Sequence, residues 1–285
     1  MNPAIIALAS AACWGSSDFL GGVTARRISP YLAVAIAHAI SLSLILLVVL
    51  INGLHAPAHS LLSLGLVGGL FGGGGLMLFY QALSTGSMGI TAAAAGVLTA
   101  AVPVLFGLHA EGLPDFHQLA GFVLAVSAIW LIASAPGRVN MRTLWLGCIS
   151  GVCFGIYFVL LKLAASGGPA GNIAWAMAMS RVTSTSLAVV FCLWSAAKAN
   201  PGAMVNRWGV RTIVLAAAVG LLDTGGNMLY MFATRLGRMD VAAVLSSLYP
   251  AATILLAAWL LKERTTRTQA IGMVLAIGAV ALIAG

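Results

Sequence analysis

Charge is what this sequence lacks. Only 7% of its 285 residues are Asp, Glu, Lys or Arg, where a soluble domain carries about 25%. Hydrophobic residues make up 61%, and the mean hydropathy is +1.05. Too little polar surface exists to keep a globule in solution. A cytosolic enzyme, a secreted disulfide scaffold and a disordered chain are excluded, which leaves a polytopic membrane protein. Cysteine is scarce too. Cys13, Cys148, Cys153 and Cys192 all sit in apolar runs with no CxxC pair, so they read as small core residues without a disulfide framework or metal site. Acids number six against 14 Lys and Arg, a net charge of +8. The basic residues lie mostly in short connections between apolar runs, where they orient helices rather than bind nucleic acid. No Lys or Arg precedes the first run, so it lacks the charged start of a signal peptide and reads as a retained helix.

What is present is a series of ten apolar runs, roughly 3–22, 31–52, 61–83, 89–110, 118–136, 143–165, 172–196, 212–234, 240–261 and 269–285. A spanning helix needs about 20 residues, so ten spans leave no room for a sizeable soluble domain. A shift of 151 residues superposes Gly86 on Gly237, Met88 on Met239, Gln118 on Gln269 and Gly121 on Gly272. The same shift superposes Leu131-Ile132-Ala133 on Leu282-Ile283-Ala284. A shift of 152 brings Glu111 onto Glu263, and one of 140 brings Cys13-Trp14-Gly15 onto Cys153-Phe154-Gly155. The chain therefore reads as two copies of a five-helix unit, 1–137 and 138–285. An odd span number inverts the second copy, as in secondary transporters whose sites lie near the midplane between repeats.

Arg26, Arg27, Arg138, Arg142, Lys198, Arg207, Arg211, Lys262, Arg264 and Arg267 fall in odd-numbered connections, against Lys162, Arg235 and Arg238 in even ones. The positive-inside rule then places both termini outside the cytoplasm. The expected location is a bacterial cytoplasmic (inner) membrane.

These landmarks resemble the EamA-type family of the drug/metabolite transporter superfamily. Trp14-Gly15-Ser16-Ser17-Asp18-Phe19 resembles the family's Trp-Gly-Ser signature. In the second copy Tyr249-Pro250 precedes Lys262-Glu263-Arg264, Gln269 and Gly272, and the first copy repeats this loosely as Pro103, Glu111, Gln118 and Gly121. The resemblance covers the whole chain. It implies a ten-helix basket in which spans 1–4 and 6–9 line a central cavity and spans 5 and 10 are peripheral. It also implies export or exchange of small metabolites, often amino acids. Asp18 departs from the uncharged residue common at that place in the family.

Several residues are candidates for the transport machinery. Gly72, Gly73, Gly74 and Gly75 in the third run, matched by Gly225 and Gly226 in the eighth, mark flexible or substrate-facing helix. Gly147, Gly151 and Gly155 at four-residue spacing read as close packing. Pro103 and Pro250 free backbone carbonyls and are expected to kink or hinge their helices. Ionisable groups inside spans are functional candidates by default. Asp223, the deepest acid, pairs with Arg181 or binds an ammonium or proton. Arg181 meets a substrate carboxylate or neutralises an acid. Asp18 gates with Arg26 or Arg27 or sits at the interface, and His38 relays protons or packs. Trp14, Tyr80, Gln81, Tyr157, Trp175, Asn227, Met228, Met231 and Tyr249, with His38, are expected to line the cavity, where aromatic, amide and thioether groups suit an amphipathic solute. Tyr230 belongs to the same group. Trp130, Trp145, Trp208 and Trp259 are assigned to the interface belts.

No HExxH, CxxC or GxSxG motif occurs, which disfavours a membrane-embedded lipid-modifying enzyme. The expected partners are a small-molecule substrate and the lipid bilayer, with no nucleic acid, no obligate protein partner, no cofactor and no metal. Secondary export of amino acids, aromatic or bulky neutral ones first, is the leading expectation, and export of drug-like amphipaths or another metabolite is the alternative.

Overall fold

The computed structural model describes residues 2–85, 88–133, 141–166, 168–169, 171–198, 209–260 and 266–284. Arg138, Arg207, Trp208, Lys262, Glu263, Arg264 and Gly86, used above as landmarks, lie outside the described residues. Among the described residues the chain is all helix: α1 Pro3–Ala25, α2 Pro30–Ile51, α3 His59–Thr85, α4 Met88–Ala110, α5 Phe116–Ala133 and α6 Met141–Ala165. There follow α7 Gly171–Lys198, α8 Val210–Leu236, α9 Met239–Ser246, α10 Tyr249–Leu260 and α11 Arg267–Ala284. α9 and α10 are two halves of one span, so the eleven helices make ten spans. Seven of these are long and apolar enough to cross a membrane, and three more are apolar but shorter.

The helix starts follow from local chemistry. Asn2 caps α1 by accepting the Ala4 N–H at 2.9 Å, and Ser29 caps α2 by accepting the Leu32 N–H at 3.2 Å. Each cap precedes a proline, which has no N–H to orphan in the first turn. The landmarks Gln118 and Gln269 turn out to be capping boxes. Gln118 N–H donates to Asp115 Oδ1 at 2.8 Å, and Asp115 N–H donates back to Gln118 Oε1 at 3.3 Å. At the start of α11, Gln269 and Thr266 exchange the same pair of bonds at 3.2 and 2.9 Å.

Packing obeys a two-fold exchange of the halves. α3 lies on α6 and α7, while α8 lies on α1 and α2. α4 packs on α6 as α9 and α10 pack on α1, and α5 pairs with α11 at the periphery. Glycine makes these approaches possible. A Cβ on Gly151 would stand 2.5 Å from the Ala95 carbonyl, and one on Gly155 would stand 2.6 Å from Val102 Cβ. The Gly147–Gly155 ladder is thus the seat of α4. Even side-chain packing repeats: Gly75 faces Phe154 as Gly226 faces Trp14.

The glycine run is not a break. α3 is continuous through Gly72–Gly75, which seat four neighbours: the Tyr157 ring over Gly72, Ser184 over Gly73, and Cys153 and Phe154 over Gly75. Gly74 and Gly225 face more open space. The two prolines also differ. Pro103 sits inside an unbroken α4, whereas the chain breaks at Ser247–Leu248, just before Pro250. Proline removes a donor and disfavours helix at the preceding residue. Trp130, Trp145 and Trp259 face outward, on the surface offered to lipid. The four cysteines are free and half-buried.

One polar cluster ties the halves together where α4, α6 and α8 end and α9 begins. Glu111 pairs with Lys162 and accepts the Met239 N–H at 2.9 Å. Arg238 pairs with Asp240 at 2.7 Å and donates to the Gly112 carbonyl at 2.7 Å. Its hydrogen bond to Asp240 holds the Arg238 guanidinium above its ordinary pKa.

Candidate functional site

A cavity lies at mid-depth where the halves meet. Trp14 and Asp18 of α1, His38 of α2, Gly72 and Leu76 of α3, and Thr99 of α4 line it from the first half. Phe154, Tyr157 and Phe158 of α6, Arg181 of α7, Asp223 and Asn227 of α8, and Tyr249 of α10 line it from the second. Eight spans contribute; α5 and α11 do not.

Its floor is a charged chain built across three helices. Arg181 Nη2 pairs with Asp223 Oδ2, and their side chains are 3% and 14% exposed. Arg181 Nη1 lies 2.9 Å from His38 Nε2, and His38 Nδ1 lies 2.7 Å from Ser184 Oγ. Since Arg181 can only donate, His38 Nε2 is the acceptor and Nδ1 carries the proton, donated to Ser184. This is the neutral imidazole. Asp223 Oδ2 stands 3.6 Å from the same Nε2. One turn on, Asn227 Nδ2 donates to the Asp223 carbonyl at 2.7 Å, and its Oδ1 is buried without a partner. Arg181 Nε is likewise buried and unpartnered. Beside the chain, Ser41 bonds Thr224 and donates to the Gly220 carbonyl at 2.8 Å, fixing α2 on α8.

Asp18 differs from Asp223. It is 8% exposed, yet among the described residues its carboxyl group has no hydrogen bond or ion pair. The expectation that it gates with Arg26 or Arg27 gives way: the side chain faces the cavity and Asp223, not the helix end.

The walls are aromatic. Trp14 stacks on Phe158 with centroids 4.6 Å apart and planes 5° from parallel. Tyr230 closes against both, at 4.7 Å from Phe158 and 5.8 Å from Trp14. By position along α1 and α8, this stack stands between the charged floor and the Glu111–Lys162 end. Tyr157 accepts from Ser180 at 3.3 Å, and Tyr249 donates to the Ala92 carbonyl at 3.3 Å.

Of the residues expected on sequence grounds, Trp14, His38, Tyr157, Asn227, Tyr249, Asp18, Arg181, Asp223 and Gly72 meet at this cavity. Tyr80 does not: its ring fills the space left by Gly21 between α1 and α3. Met231 is fully buried, Met228 packs partly buried against the same core, and Tyr230 supports the wall from behind. Trp175 is drawn to the end of α2, where its Nε1 donates to the Leu54 carbonyl at 3.1 Å. Gln81 is half-buried near the end of α3. Thr99, Leu76, Phe154 and Phe158 were not expected. Two of them were findable, since the shift of 140 that aligns Trp14 with Phe154 also aligns Asp18 with Phe158.

A single family model matches both halves, over residues 1–134 and 141–285, and it describes the EamA-like transporter family. The chain belongs to that family. An EamA-like chain is a membrane transporter by family, and the ten-span fold with its inter-repeat cavity agrees. No curated protein matches the sequence. A protein crystal structure shares the fold over 98% of this chain and 95% of its own, with a TM-score of 0.74 at 18% identity. At that identity the likeness speaks for the fold alone.

Proposed function

We propose that this EamA-like protein exports small amphipathic metabolites by alternating access, with amino acids, aromatic or bulky neutral ones foremost, as its substrates. The observation that carries the reading is the pairing, in one mid-depth cavity, of an aromatic wall with a charged floor. Trp14, Tyr157 and Phe158 suit a flat or bulky apolar side chain. Arg181, Asp223 and Asp18 suit a small polar head. Among the described residues Arg181 is the only Arg or Lys lining the cavity, and it is already paired, which disfavours phosphorylated solutes that need several cationic donors.

Movement of the halves 1–137 and 138–285 against each other exposes the cavity to each side in turn. The break before Pro250, beside the cavity-lining Tyr249, is a natural point of flexure, since the regular ladder gives way there to a tighter turn in which the Leu248 N–H bonds the Leu245 carbonyl at 3.3 Å. With the positive-inside orientation, both termini and the Glu111–Lys162 cluster lie outside the cytoplasm, in a bacterial inner membrane. Drug-like amphipaths are the second reading, favoured by the flat Trp14–Phe158 stack. Counterflow into proteoliposomes, run with a panel of amino acids and planar amphipaths, tests both. Exchange of aromatic or bulky neutral amino acids above small or charged ones is expected. Exchange confined to planar amphipaths replaces the first reading with the second.

A further inference from the structure

We propose that Asp18 is the receptor for an ammonium group, and that the amine of the solute, not its carboxylate, decides whether it is carried. The inference rests on the exporter reading above and names the chemistry its site selects.

The acids lining the cavity outnumber the cations. Asp18, His38, Arg181 and Asp223 line it. His38 accepts from Arg181 and is therefore neutral. Arg181 is the one remaining cation, and Asp223 already matches its charge. Asp18 is thus a second carboxyl group, more than nine-tenths buried, with no cation and no donor of its own among the described residues. A buried ionised carboxylate without a partner is strongly disfavoured, and a cation placed against it is correspondingly favoured. Among the described lining residues, one carboxyl group is left over once Arg181 and Asp223 have paired.

The surroundings say what kind of cation. A bare metal ion of the hard class wants six or more oxygen ligands, whereas the walls here are Trp14, Phe154, Tyr157 and Phe158. An organic ammonium on an apolar or aromatic body fits such a site. Ring faces tolerate a nearby cation, and the apolar part takes the rest of the wall. A solute carboxylate finds a weaker welcome. The guanidinium it would seek is already neutralised by Asp223 and bonded to His38. A decarboxylated amine therefore keeps the decisive contact, and a deaminated acid loses it.

The test compares three solutes on one frame in proteoliposome counterflow: phenylalanine, phenethylamine and 3-phenylpropionate. In the wild-type protein phenylalanine and phenethylamine exchange, and phenylpropionate is slower by roughly ten- to a hundredfold, the worth of one charge-assisted contact. Asp18→Asn removes that preference, while Asp18→Glu, checked for the same elution profile, retains it. Phenylpropionate exchanging as fast as phenylalanine in the wild type overturns the assignment, as does an amine preference that survives in Asp18→Asn. Exchange of none of the three overturns the amino-acid reading on which the assignment rests.

Discussion

Consider the substitution Asp223→Asn. It removes the carboxylate that neutralises Arg181 at a place where the two side chains are 14% and 3% exposed. The guanidinium keeps only His38 Nε2 as an acceptor, at 2.9 Å, and its Nε is already unpartnered. Breaking one side of a buried ion pair costs about 3–5 kcal/mol, mostly for the charge left behind. Asp18 lies in the same cavity as an alternative carboxyl group, so the lower end, about 3 kcal/mol, is expected. Adding Arg181→Met removes the stranded charge and should recover more than half of that loss. The assay is unfolding of the purified protein in detergent micelles, followed by tryptophan fluorescence and analysed as a double-mutant cycle. Both variants should lose counterflow, although the single one loses much more stability than the double. A stable Asp223→Asn protein, or a double variant with purely additive losses, would refute the view that the pair is a coupled buried unit.

Other consequences can be checked separately. Asp18→Asn should leave stability unchanged or raise it by up to about 1 kcal/mol, because the side chain makes no bond that folding gains from; a loss above 2 kcal/mol in the same unfolding assay would mark it as structural. Gly151→Ala should destabilise by about 1–3 kcal/mol, since its Cβ meets the Ala95 backbone, while Gly225→Ala, with nothing within 4 Å, should gain up to about 1 kcal/mol of helix propensity. Glu111→Gln weakens the tie to Lys162 and Met239; the ion-paired Lys162 and Glu111 side chains are 21% and 22% exposed, and the change should cost about 1 kcal/mol. A cysteine introduced at Thr99 in a cysteine-free background of Glu111→Gln should then react several-fold faster with a membrane-impermeant thiol reagent added from the side of the Glu111–Lys162 cluster.

The spans were legible because each is a run of about 20 apolar residues bounded by Gly, Pro and charge, a pattern set by bilayer thickness. The split of the ninth run was not, because Pro103 and Pro250 carry the same local signal. Only the packing around them keeps one helix whole and breaks the other. Gln118 and Gln269 were visible as repeat landmarks, but their role as cap partners needed the helix starts to be placed. In the site, the charged members were legible because charge in an apolar run is rare and costly. The aromatic members were only half legible. Tyr80 and Tyr157 look alike in sequence, and what separates them is which neighbour presents a glycine: Gly21 draws Tyr80 into the α1–α3 contact, while Gly72 lets Tyr157 reach the cavity edge. Phe154 and Phe158 were hidden by their own plainness, though the repeat register pointed to them through Trp14 and Asp18.

On the proposed function, one cavity between two inverted repeats serves both sides of the membrane in turn. Efflux of labelled phenylalanine from proteoliposomes, with and without unlabelled phenylalanine outside, tests it most directly. Efflux should saturate with internal concentration and accelerate when the outside is loaded, because return of the occupied cavity replaces return of the empty one. Efflux that rises linearly without saturation and ignores the outside solute would contradict it, and would describe an open pore instead.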